Sequence, residues 1–170
     1  MNAEIEVCVD TLEAALQAQA NGASRIELCG RLDLDGITPD DDFIQAALRE
    51  LHIPIHVMIR PRGGDFVYTA EEVVEMEKAI AYCKAQNVPG VVLGALTPDH
   101  QLDLETIIKL AKLAKPEMLV VVHKCIDYTP DPLAAFAQLL EYHEWIDYVL
   151  TSGGKPTAWE GLSVLQQMVA

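Results

Sequence analysis

"IRPRGGDF" (Ile59–Phe66) gathers Arg60, Arg62, Gly63, Gly64 and Asp65 directly after an apolar run, in a chain that is acidic nearly everywhere else. Arginine presents a planar fork of donors that matches carboxylate or phosphate, and paired glycines let backbone N–H groups turn inward as an anion nest. The chemistry on offer is capture of a small anion. The same residues could instead close on themselves, through an Arg60–Asp65 or Arg62–Asp65 ion pair that stiffens a tight loop. A second glycine turn, "TSGG" (Thr151–Gly154), offers the hydroxyls of Thr151 and Ser152 and a nest at Gly153.

Proton transfer needs carboxylates or imidazole, and the candidates are Glu6, Glu27, His123 and Asp127. Their plainer role is pairing, Glu6 or Glu27 with Arg25 or Arg60, to neutralise an interior. Cys8 and Cys29, with Cys125 and His123 nearby in type, are soft ligands suited to Cu(I). Against that, cysteine also packs as a small hydrophobe, and Cys83 sits on a helical apolar stripe as a core residue. His52, His100 and His143 fall at helix ends and loops and read as solvated.

Positioning these groups is the task of an alternating pattern of short β-branched runs and amphipathic helices. The runs are "EIEVCV" (Glu4–Val9), "SRIELC" (Ser24–Cys29), "PIHVMI" (Pro54–Ile59), "GVVL" (Gly90–Leu93), "MLVVVH" (Met118–His123) and "YVL" (Tyr148–Leu150). Phe43, Ile44, Ala47, Leu48 and Leu51 share one helical face after "TPDDD", where Thr38 is the expected N-cap and Pro39 the first helical residue. "TAEE" (Thr69–Glu72) is a capping box. Such alternation predicts a parallel sheet with right-handed crossovers, either doubly wound or a (β/α) barrel. Alternate strand positions carry Glu4, Glu6 and Cys8, then Arg25, Glu27 and Cys29, then His56, Met58 and Arg60, then Val121, His123 and Cys125. A sheet covered by helices on both faces should be apolar on both, so the pattern favours a barrel whose lumen is polar near its mouth. Glu6 and Glu27 are expected at matching heights, and Lys124 is expected to point away from His123.

The 170 residues suit one domain, 1–170, and supply six β/α units, whereas an eight-unit barrel takes about 200–250 residues. A shortened barrel, incomplete at its C-terminal end, leaves sheet edges that invite pairing, so a homo-oligomer is expected. The formal net charge of −14 repels polyanions and argues against nucleic acid and anionic membranes as partners. No apolar run approaches the roughly 18 residues of a membrane span. No basic and then apolar leader is visible, and the cysteines are scattered, which predicts reduced thiols in a cytoplasm.

In order and spacing, "RIELC" (Arg25–Cys29), "GITP" (Gly36–Pro39), "IPIHVMIRPRGGDFVY" (Ile53–Tyr68), "VHKCID" (Val122–Asp127) and "VLTSGG" (Val149–Gly154) resemble the CutC family, named for copper homeostasis. The resemblance spans essentially the whole chain. It implies a TIM-barrel fold, a cytoplasmic location, copper handling, and strand-end cysteines at Cys8 and Cys29. The family's "HRAFD"-like segment reads "HKCID" here, which removes a bidentate guanidinium and adds a thiol near His123. The family's last two β/α units have no counterpart in this sequence, and in TIM barrels those units commonly build a phosphate site. Three functions stay open: a CutC-like protein of copper homeostasis that binds Cu(I), an enzyme acting on a small carboxylate or phosphate, and a catalytically inert structural partner.

Overall fold

The computed structural model describes residues 4–170, so the first three residues of the expected 1–170 domain lie outside the described residues. Six parallel strands pair in sequence order: β1 (Glu6–Val9), β2 (Arg25–Leu28), β3 (Ile55–Met58), β4 (Gly90–Leu93), β5 (Leu119–Val122) and β6 (Tyr148–Val149). Each strand lies inside the run anticipated for it. They are short, and the central ones, β3 and β4, are buried along their whole length between helices and a lumen.

The helices are α1 (Leu12–Ala20), α2 (Asp41–Glu50), α3 (Ala70–Ala85), α4 (Leu104–Ala114), α5 (Pro132–Leu140) and α6 (Leu162–Met168). Side-chain caps start the first five: Thr11, Asp40, Thr69, Asp103 and Asp131 each accept from a backbone N–H of the first turn. Thr69 and Glu72 form the anticipated capping box. The cap of α2 is Asp40 and not Thr38. Pro39 holds the residue before it in extended backbone, so the helix begins two residues later. Thr38 instead clamps β3: its hydroxyl accepts from Arg60 N at 2.8 Å and donates to Arg60 O at 3.1 Å.

One face of every strand packs against helices. Ile26, Leu28, Val57, Val91, Leu93, Val120 and Val122 meet Ala15, Ile44, Ala47, Met76, Ile80 and Ile107 in one large core. Each of the Val, Leu, Ile and Met side chains among them contributes about 1.5–3 kcal/mol on burial. The opposite face holds a separate, smaller cluster of Cys29, Met58, Val92 and Val121, the floor of a lumen. The sheet curls strongly enough that Arg25 at the start of β2 lies over the Tyr148 ring of β6, 5.1 Å from its centroid. The result is a TIM-barrel-like half-barrel of six β/α units. Among the described residues, β1 and β6 each pair on one side only, and no helix is long and apolar enough to cross a membrane.

Candidate functional site

Within the curl lies a cavity of about 320 Å³. Glu6, Cys8, Glu27, Met58, Arg60, Val121 and His123 line it from the strands and their ends, and Leu32, Asp35, Phe66, Lys124 and Leu150 close it from the loops. The first and the last strand regions therefore reach one space. In a parallel barrel, such a space at the carboxyl ends of the strands is where ligands sit.

Register puts Glu27 opposite Cys8 and Arg25 opposite Glu6. Glu6 and Glu27 are thus two residues out of step, and they acquire different partners. Glu27 Oε1 accepts from the thiols of Cys8 (3.4 Å) and Cys29 (3.5 Å), whose sulfurs are 3.4 Å apart. One ligand atom from each of the three residues lies within 4.8 Å of the others. Burial, with Glu6 nearby, pushes the Glu27 carboxyl above its ordinary pKa even though the thiols donate to it. The hydrogen bond to Cys8, together with burial, pushes the Cys29 thiol up strongly.

Glu6 faces the other way along the lumen. It pairs with Arg25 at 2.9 Å and lies 3.5 Å from His56 Nδ1. Burial would raise its pKa, but its contacts with His56 and Arg25 outweigh that and hold it low. His56, fully buried, has no good hydrogen-bond partner at either ring nitrogen. It fits because its neighbour in register is Gly90, where a Cβ would stand 2.3 Å from His56 Cδ2.

Arg60 is only 2% exposed. Its Nη1 donates to the carbonyls of Leu34, Asp35 and Gly36, and its Nη2 donates to Gly64 O at 2.7 Å. Its guanidinium lies over the Phe66 ring at 4.7 Å, and Nε has no partner. The anticipated Arg60–Asp65 pair does not form. Arg62 makes that closure: Nη2 meets Asp65 at 2.9 Å, Nε meets Glu72 at 2.5 Å, and Val67 O accepts from Nη2. Arg62, Gly63, Gly64 and Asp65 are therefore a locked loop beside the cavity, not part of its wall.

His123 ends β5. Its Nδ1 accepts the backbone N–H of Cys125 at 3.2 Å, which leaves the proton of the neutral ring on Nε2. Nε2 is buried without a partner. Burial, with Arg60 close by, lowers the imidazole pKa to about 3. Gly94 makes the space, since a Cβ there would stand 2.6 Å from His123 Cε1 and 2.5 Å from Cys125 Sγ. Cys125 itself packs into the large core, so it is not a third thiol in the lumen, and burial raises its pKa.

Asp127 turns away from the cavity. Its carboxylate accepts from Thr151 Oγ1 (2.6 Å), Ser152 N (2.8 Å) and Gly154 N (2.7 Å). Gly153 and Gly154 both adopt left-handed backbone, at φ 72° and 71°, to make this turn. The anion nest of Thr151, Ser152 and Gly153 thus encloses an anion that the protein itself provides.

The CutC family model matches residues 3–170. This chain belongs to the CutC family. It is 42% identical to a mouse copper homeostasis protein cutC homolog over 165 residues, which covers 97% of this chain and 60% of the mouse protein. Identity to a CutC family protein of Histophilus somni is also 42%, over 98% of this chain and 67% of that one. The chain therefore spans about three-fifths to two-thirds of the curated relatives it matches. A solved CutC structure from Streptococcus agalactiae superposes with a TM-score of 0.89 at 29% identity, covering 98% of this chain and 82% of the other. Phosphoenolpyruvate phosphomutase from Streptomyces platensis, at a TM-score of 0.59 and 13% identity over 95% of this chain and 65% of that one, shares the fold alone.

Of the residues expected to converge in this CutC chain, Glu6, Cys8, Glu27, Arg60 and His123 do line one cavity, and Cys29 touches it through Cys8 and Glu27. Asp127, Arg62, Gly63, Gly64, Asp65, Thr151, Ser152 and Gly153 are not among its lining residues. Lys124 is, contrary to expectation. The strand ends at Val122 and a 3-10 turn over Lys124–Tyr128 swings Lys124 round to meet Asp35 at 3.2 Å. Sequence reasoning misses His56 and Phe66. The signal for His56 is present, since it shares a strand face with Met58 and Arg60. Phe66 reaches the lumen only through the loop, which period-two reasoning does not follow. His52, His100 and His143 are exposed, as expected.

Proposed function

We propose that this CutC chain handles Cu(I), captured at the Cys8–Cys29 thiol pair with the Glu27 carboxylate beside it. The observation that carries this reading is the 3.4 Å approach of two sulfurs from neighbouring strands, each also 3.4–3.5 Å from one carboxylate oxygen. Thiolates are the ligands that select Cu(I), and Cys8 is exposed, so the pair is open to an arriving ion. The donor set fits. Glu27 is placed to receive a thiol proton as a thiolate forms, and Met58 and Val121 keep the floor dry. Supporting the family reading are relatives named for copper homeostasis. The reading includes work in the cytoplasm, where thiols stay reduced.

Anaerobic competition with a Cu(I) chelator tests it. The wild type should retain one Cu(I) per chain, and Cys8→Ser with Cys29→Ser should lose it. Because protonated thiols must release their protons, apparent affinity should rise with pH, by roughly tenfold per unit for each proton displaced. Unchanged retention in the double variant ends the proposal.

The reading also includes self-association of this chain. Supporting it are the one-sided pairing of β1 and β6, the exposed Tyr148 and Leu150, and an apolar groove lined by Phe136, Leu140, Leu165 and Met168 beside β6.

A further inference from the structure

The lumen contains a buried positive charge that no carboxylate answers. Among the described residues Arg60 forms no ion pair, although it is only 2% exposed. Backbone carbonyls hold its Nη atoms, and the Phe66 face covers it, which disperses the charge without cancelling it. Buried charges are normally paired. The Nε–H is left over. His123 packs against the same Phe66 ring, with ring centroids 4.9 Å apart, and its Nε2–H is also left over. Both residues line the one cavity.

We propose that Arg60 and His123 form the donor end of a subsite for a small organic monocarboxylate, with His123 acting as a neutral N–H donor to a carboxylate oxygen. Three observations select this class. The donors are two single N–H groups, enough for one carboxylate and too few for a phosphate dianion, which needs several more. The glycine nest that could add backbone donors is filled by Asp127. Glu6 and Glu27 line the same cavity and disfavour a second negative charge, while Met58, Phe66 and Val121 suit a short apolar body. His123 is fixed in this role by Cys125 N–H, which occupies the other ring nitrogen. The subsite shares the cavity with the thiol pair but uses other side chains, and it stands whether or not copper binds there.

Butanoate is the probe, butanamide its neutral isostere, and inorganic phosphate the competing anion. Saturation-transfer NMR on the full chain should detect butanoate, with butanamide bound roughly tenfold more weakly or worse. His123→Phe should weaken butanoate by roughly tenfold, and His123→Gln, whose amide can donate from a similar place, should restore it. With histidine labelled with nitrogen-15, the Nε2 resonance of the wild type should move with butanoate and stay with butanamide, a readout that needs no variant to fold. Equal binding of butanamide, no effect of His123→Phe, or phosphate outcompeting butanoate each overturns the subsite.

Discussion

Arg60 reads from the sequence as a hand extended to a ligand, and the structure makes it a buried strut. That changes what its removal should do. Arg60→Ala strands the carbonyls of Leu34, Asp35, Gly36 and Gly64, so it should cost about 3 kcal/mol or more by chemical denaturation, whatever it does to ligands. His123 sets a pH dependence with a definite sign. Its pKa is lowered from 6.5 to about 3 in the folded chain, so below pH 6.5 the unfolded chain takes up a proton that the folded chain refuses. The stability it contributes is complete above pH 6.5 and drains as pH falls toward 3, at about 1.4 kcal/mol per pH unit. His123→Gln should flatten that limb, and matched denaturation curves at pH 7 and pH 5 would read it. Residue types in the sequence disclose the lumen's chemical cast, because charged groups at alternate positions of apolar strands must face a space where they can be paired or solvated. They do not disclose pairing. Glu27 and Glu6 differ by two residues of register, which decides thiols for one and Arg25 for the other, and register belongs to the sheet.

The elements are legible because each obeys a local rule. β-branched runs become strands, capping residues start helices, and "TAEE" closes its box as written. The rule fails where two signals compete, at Thr38 before Pro39, and where a strand stops early, at Val122. The β3–α3 loop shows how an element is fastened to its neighbour. Arg62 links Asp65 and Val67 to Glu72, and Glu72 Oε2 accepts from Thr69 N at 2.8 Å. Arg62→Ala should therefore loosen both the loop and the first turn of α3, with a loss of about 1 kcal/mol. Amide hydrogen exchange should quicken at Val67 and in the first turn of α3, while β3 stays protected. Uniform quickening across the domain would mean that the loop belongs to the global unfolding unit.

At the scale of the molecule, barrel-like curvature is legible from polar residues on one strand face, a pattern that helices on both sides would forbid. The closeness of the ends is not, since twist and curl accumulate over six strands and no single residue encodes them. Light scattering at micromolar concentration should find species heavier than the 18.7 kDa chain. Added salt should favour them, because a net charge of −14 opposes contact between copies. A lone 18.7 kDa species at every ionic strength would count against self-association. The hollow itself has an origin that bears on how this sequence can vary. Along β4 and one residue past it the lumen side presents Gly90, then Val92, then Gly94, so an imidazole from one flank or the other settles into each gap. The empty volume is in effect a mould whose shape is kept by two places where nothing protrudes. Saturation mutagenesis should accordingly find positions 90 and 94 intolerant even of alanine, each costing about 1–3 kcal/mol, while Val92 between them accepts other aliphatics. The strand that brings no reactive atom to the cavity would then rank among the most constrained in the chain.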